Sequence, residues 1–134
     1  MPCGSFADLG CGTGVLAILA AKLGWSPVLA VDLDDHSVDA TLANAALNDV
    51  AVRVTAADVT RDPVPVADGI AANVPTAVHL SLAARLPERL PQVALLSGFA
   101  PDAADEILAA YAARGLHERR RIDAHAWTVA LMAR

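Results

Sequence analysis

Residues 8–14 read Asp8-Leu9-Gly10-Cys11-Gly12-Thr13-Gly14. Their reading decides the fold. Ser5 to Leu9 is a short apolar run with the length of a buried strand, and Val15 to Leu23 is an Ala/Leu/Ile helix closed by Gly24. Three glycines where a strand hands over to a helix let the backbone turn tightly and come close to a ligand. The spacing is G-x-G-x-G and not the G-x-G-x-x-G of a pyrophosphate-binding turn, because position 15 is Val15.

The same alternation continues outward. Val28 to Val31 is a strand ending at Asp32, and Asp35 is placed to cap a helix from His36 to about Asn48. Val50 to Thr55 is a third strand that ends near Asp58, followed by the Pro-containing loop Thr60 to Pro65. Gly69 to Ala72 is a fourth strand ending at Asn73, with a helix from about Thr76 to Leu86. Val93 to Leu96, a helix from Asp102 to Ala113, and a terminal pair Leu116–Ile122 and Trp127–Met132 complete the chain. Strands alternating with helices predict an α/β fold: a doubly wound, mostly parallel sheet of seven strands, helices on both faces, and an antiparallel hairpin at the C-terminus. One domain spanning residues 1–134 is expected.

Composition excludes several classes. Hydrophobic residues make up 55% of the 134, too many for a disordered chain. Lys22, Asp32, Asp34 and Asp35 interrupt the most apolar stretch, so no spanning helix is expected. The start, Met1-Pro2-Cys3-Gly4, carries no basic leader. The net charge of −5 argues against sequence-independent nucleic-acid binding. Cys3 and Cys11 form no disulfide framework, which fits a reduced, cytoplasmic setting. His36, His79, His117 and His125 lack ligand spacing, so no metal is expected.

The acids around the glycines narrow the ligand. Asp32 stands 18 residues beyond Gly14 at a strand end, where its two oxygens can hold both hydroxyls of a ribose. Asp8 would repel a pyrophosphate and attract an ammonium or a sulfonium. S-adenosylmethionine (SAM) carries both cations and a ribose. The alternative is a bare tight turn flanked by ordinary strand-end acids.

Asp8–Gly14 resembles the first motif of class I SAM-dependent methyltransferases, a Rossmann-like group, and the resemblance runs over essentially the whole chain. Within that group the chain is most similar to the catalytic domain of PrmA-type methyltransferases, which methylate amino groups of a ribosomal protein. The stretches 8–24, 31–48, 72–74, 95–99, 104–116 and 126–131 carry the closer match. The resemblance implies that Gly10, Gly12 and Gly14 line the methionine part of SAM, with Asp8 near its amino group. It implies that Asp32 holds the ribose, Leu33 packs on the adenine, Asp58 accepts from the adenine amino group, and the Val59 backbone approaches the ring. Asn73 would be the catalytic residue, orienting an acceptor amine toward the methyl. The sequence here is Asn73-Val74-Pro75-Thr76 and not Asn-Pro-Pro-aromatic, which leaves no platform for a flipped base. Asn73 could instead cap the following helix.

The activity so implied is methyl transfer to a protein amine. A small-molecule acceptor and a non-catalytic SAM-binding scaffold stand as alternatives; oligomeric state is not legible. Relatives in the group carry helices ahead of the first strand and an upstream recruitment domain. A chain starting at Met1 is therefore expected to have an open cofactor cleft with an apolar floor, weak SAM binding and poor activity alone. Packing is expected for Cys11, a solvated edge for Arg119-Arg120-Arg121, surface or packing positions for the histidines, and a core position between sheet and helix for Trp127.

Overall fold

The structure, a computed structural model, describes residues 3–134; Met1 and Pro2 of the expected 1–134 domain lie outside the described residues. Seven strands and four helices follow one another as β1 (Phe6–Leu9), α1 (Val15–Lys22), β2 (Val28–Asp32), α2 (Asp35–Leu47), β3 (Arg53–Ala56), β4 (Gly69–Asn73), α3 (Thr76–Arg85), β5 (Val93–Phe99), α4 (Pro101–Ala112), β6 (His117–Ala124) and β7 (Trp127–Ala133). They form one sheet in the order β3-β2-β1-β4-β5-β7-β6. The first five strands are parallel, and β7 joins β5 and β6 antiparallel. This is the doubly wound, mostly parallel sheet with a C-terminal hairpin that the element order predicts.

The order places a crevice. The chain winds from β1 outward to β3, then crosses back to lay β4 on the other side of β1. Strand order reverses between β1 and β4, and in open α/β sheets ligands bind beyond the carboxyl ends at such a point. Leu9 of β1 pairs with Ala72 of β4, so the glycine loop and Asn73 emerge side by side at that edge.

Two cores hold the sheet. The larger buries Ala7 and Leu9 of β1, Ile70 and Ala72 of β4, Leu96 of β5 and Met132 of β7 against Leu82 of α3 and Ile107, Leu108 and Tyr111 of α4. A smaller one under α1 gathers Cys11, Ala17, Ala20, Val28 and Ala30, with Phe6 and Trp25 against it. Period-2 alternation sorts each strand between the two faces.

Three local readings are corrected. Asp34, not Asp35, caps α2: it lies in extended backbone and its Oδ1 accepts from the His36 amide at 2.9 Å. The third strand starts at Arg53 and not Val50, because Asp49 adopts a positive φ of 54° and Val50 N donates to Ala45 O, closing the end of α2. Trp127 is 59% exposed and outside the core. Along β7, Thr128, Ala130 and Met132 are buried, which turns Trp127, Val129 and Leu131 to the opposite face. With Val93 and Leu95 of β5, and Leu16, Leu19, Leu23 and Trp25 around α1, Leu131 lines a shallow apolar groove on that face.

Candidate functional site

Gly10, Gly12 and Gly14 all have positive φ, at 81°, 56° and 88°, which side-chain-bearing residues rarely adopt. At Gly14 there is also no room, since a Cβ would lie 2.7 Å from Thr41 Cγ2. The loop's amides are turned largely inward. Gly10 N and Cys11 N donate to Val31 O at 2.8 and 2.9 Å, and Gly14 N to Cys11 O at 2.9 Å. Gly12 N donates to Asp32 Oδ2 at 2.9 Å, and Ala17 N in the first turn of α1 to Asp8 Oδ2 at 3.0 Å. The loop and helix start spend many of their N–H groups on the protein. An anion cradle needs those amides free.

What this edge presents is acid. Asp8 is 2% exposed. Burial pushes its carboxyl up to about 6; the Ala17 amide works against this, and the charge of Asp32 adds to it. A cation beside Asp8 would restore its charged form. Asp32 accepts from Gly12 N through Oδ2 and from Asp34 N through Oδ1 at 3.0 Å, which leaves each oxygen a lone pair for a further donor. The carboxylate therefore fixes the loop and keeps two acceptor sites on the crevice.

Two hollows of about 310 Å³ each meet at Gly10 and Asn73. One is lined by Asp32, Leu33, Asp58, Val59 and Val78, among others; the other by Asp8, Gly12, Thr13, Val15 and Leu16. Eight of the nine sequence-predicted residues line one hollow or the other; Gly14, packed against Thr41, lines neither. Leu33 is 70% exposed, an apolar side chain at the mouth. Asp58 is partly committed: its Oδ1 accepts from Thr60 Oγ1 at 2.6 Å and Thr60 N at 2.9 Å, and the Thr60 hydroxyl is the first cause holding its carboxyl below the usual range. Asn73 is exposed at the end of β4. It does not cap α3, whose N-cap is Pro75 with no side-chain cap hydrogen bond.

Three supporting residues escaped the sequence reading. Thr41, fully buried on α2, donates to Gly12 O at 3.0 Å and meets Cys11 Sγ at 3.3 Å. One turn on, Asn44 Nδ2 donates to Thr13 O at 2.9 Å. Arg85 of α3 reaches Val59 O and Asp62 O, pinning the loop after β3. The signal for the first two is their i, i+3 spacing in an alanine-rich helix. Cys11 has the packing position expected of it, and burial raises its thiol pKa.

Comparison with known proteins adds four findings. The family model described as ribosomal protein L11 methyltransferase (PrmA) matches residues 2–134. A ribosomal protein L11 methyltransferase of Rhodopseudomonas palustris is 39% identical over 138 residues, covering 97% of this chain and 47% of that protein. One from Thermotoga neapolitana is 44% identical over 75 residues, covering 56% of this chain and 28% of the relative. The crystal structure of the ribosomal protein L11 methylase of Lactobacillus delbrueckii subsp. bulgaricus superposes with a TM-score of 0.88 at 31% identity, over 97% of this chain and 69% of that one. The chain spans about half the length, or less, of these curated relatives.

Proposed function

The chain belongs to the ribosomal protein L11 methyltransferase (PrmA) family, and from that membership we propose that it binds SAM in the crevice between β1 and β4 and transfers the methyl to a protein amine. The observation that carries this reading is the pairing of Asp8 and Asp32 around a glycine loop whose amides are engaged within the protein, with the exposed Asn73 lining the same hollow as Asp8. The residues fit the cofactor. Asp32 would hold the ribose hydroxyls through its two remaining lone pairs, with Leu33 and the Val59 backbone against the adenine and Asp58 at its amino group. Asp8 would face the cationic methionine end beside Gly10 and Gly12; Gly14 would serve by its conformation.

SAM supplies an already activated methyl. The chain's own share is alignment and exclusion of water. Asn73 Oδ1 can accept from an amine N–H and aim its lone pair without becoming charged. Among the described residues, neither hollow is lined by Lys or Arg, which suits a cationic donor and an amine acceptor better than a phosphate backbone. Named relatives act on ribosomal protein L11, and that protein is the proposed acceptor. A cytoplasmic setting follows from such a partner, and no helix among the described residues is long and apolar enough to cross a membrane.

The test is methyl incorporation from labelled SAM into recombinant ribosomal protein L11, with mass analysis of the product. Methylated amines on the protein are expected, lost in Asn73→Ala. Label found only in a small molecule would replace the acceptor, and no label despite SAM binding would leave a scaffold.

A further inference from the structure

His79 of α3 and Tyr111 of α4 are fully buried, and the site just described uses neither. A buried imidazole and phenol need partners. His79 Nε2 lies 2.7 Å from the Ser97 carbonyl oxygen, and Nδ1 lies 2.9 Å from the Tyr111 hydroxyl. A carbonyl only accepts, so Nε2 carries the hydrogen. Nδ1 of the neutral ring then accepts, and the Tyr111 hydroxyl donates to it. Burial holds this imidazole below its usual range, which keeps it neutral. Phe99 meets the ring edge-on at 5.1 Å and fixes its plane.

The far end of this relay is the acceptor side of the crevice. The Ser97 carbonyl also accepts from the Val74 amide at 3.2 Å, next to Asn73. Gly98 has a φ of 95°, and a Cβ there would lie 2.5 Å from Val74 O and 2.9 Å from Asn73 Oδ1. The Asn73 amide oxygen thus occupies space that only a glycine at 98 leaves free. A leucine at position 79 would serve packing alone. A satisfied polar pair in an apolar core instead fixes direction, because its hydrogen bonds have one geometry.

We propose that His79, with its tautomer set by Tyr111, is a positioning residue for methyl transfer: by holding the Ser97 carbonyl it fixes the Asn73–Val74 turn and so aims the Asn73 amide at the acceptor nitrogen. This rests on the reading that Asn73 faces the acceptor.

The experiment compares the wild-type protein with His79→Phe, His79→Gln and Tyr111→Phe. Three quantities are read: affinity for S-adenosylhomocysteine, kcat and KM for methylation of recombinant ribosomal protein L11, and hydrogen exchange at the Val74 amide. His79→Phe keeps the ring and removes both hydrogen bonds. It should lower kcat at least tenfold and speed Val74 exchange at least tenfold, with cofactor affinity within about twofold. His79→Gln, whose amide nitrogen can still donate to Ser97, should recover most of both losses. Tyr111→Phe should give an intermediate effect, and it carries the test if His79→Phe does not fold. Unchanged kcat or unchanged exchange in a folded variant overturns the proposal, as does a loss of cofactor affinity parallel to the loss of kcat. Failure of the methyltransferase reading shows separately, as a wild-type protein that transfers no methyl; the exchange measurement then still decides whether His79 holds the turn.

Discussion

Asp8 keeps a carboxylate where burial disfavours its charge, and the sign of that cost can be worked out. Its pKa rises from 3.8 to about 6 on folding. Between those values the folded chain holds more protons than the unfolded one, so stability falls as pH rises through the window, and the cost is fully present above pH 6. Asp8→Asn should therefore raise the melting stability of the ligand-free protein at pH 8 by about 2–3 kcal/mol, by thermal denaturation, and flatten the pH dependence between 4 and 6. The same variant should bind SAM more weakly; if it binds equally well, Asp8 has no part in holding the cation. Asp32 and Asp58, both half-buried, differ in how much acceptor capacity they have left. Asp32 has a lone pair free on each oxygen and also ties Gly12, whereas one oxygen of Asp58 is taken by Thr60. With about 1.5–3 kcal/mol per hydrogen bond to a charged group, Asp32→Ala should cost at least tenfold in SAM affinity and Asp58→Ala only a few-fold, by calorimetry. The positive-φ glycines and the strand-end position of Asp32 were legible because a strand-to-helix turn and its flanking acid are set by local spacing. Thr41 was not, because its bond to Gly12 O exists only once α2 has packed against the loop.

At the scale of elements, β7 shows where pattern reading succeeds and where it stops. Its hairpin with β6 is visible in the sequence, but which face receives a helix is set by the neighbours. Met132 turns to α4 and is fully buried, whereas Leu131 is 40% exposed. Met132→Ala should cost about 2–5 kcal/mol, and Leu131→Ser less than about 1 kcal/mol, by denaturant unfolding. Similar losses at the two positions would mean that both faces are packed. Trp127 was expected in the core because a tryptophan buries a large apolar area; strand parity placed it on the other face. The β3 boundary slipped for a related reason. Val50 has strand propensity, but the positive φ at Asp49 spends its amide on the end of α2. At the end of β5 a third outcome follows from crowding. Gly98→Ala would drive a methyl toward Val74 O and Asn73 Oδ1. It should reduce methyl transfer at least tenfold with SAM affinity little changed, measured by labelled-methyl assay and calorimetry.

For the whole molecule, the order of strands explains why one edge collects the chemistry. Reversal of the winding between β1 and β4 sets the glycine loop beside Asn73, and because β1, β2 and β3 run parallel, Asp32 and Asp58 follow their strands at the same edge. That much follows from the alternation of strands and helices, which is why the fold and the edge that gathers these residues were readable from the sequence. The relay through His79 and Tyr111 was not, because it joins α3, α4 and the end of β5 over sequence separations of 32 and 18 residues. The most direct measurement is calorimetric titration of the protein with S-adenosylhomocysteine and, separately, with NAD, repeated on Asp32→Ala. Saturable one-to-one binding of S-adenosylhomocysteine, at least tenfold weaker in the variant and absent for NAD, is the expected result. No binding of S-adenosylhomocysteine, tighter binding of NAD, or equal affinity in Asp32→Ala would contradict the assignment of the crevice.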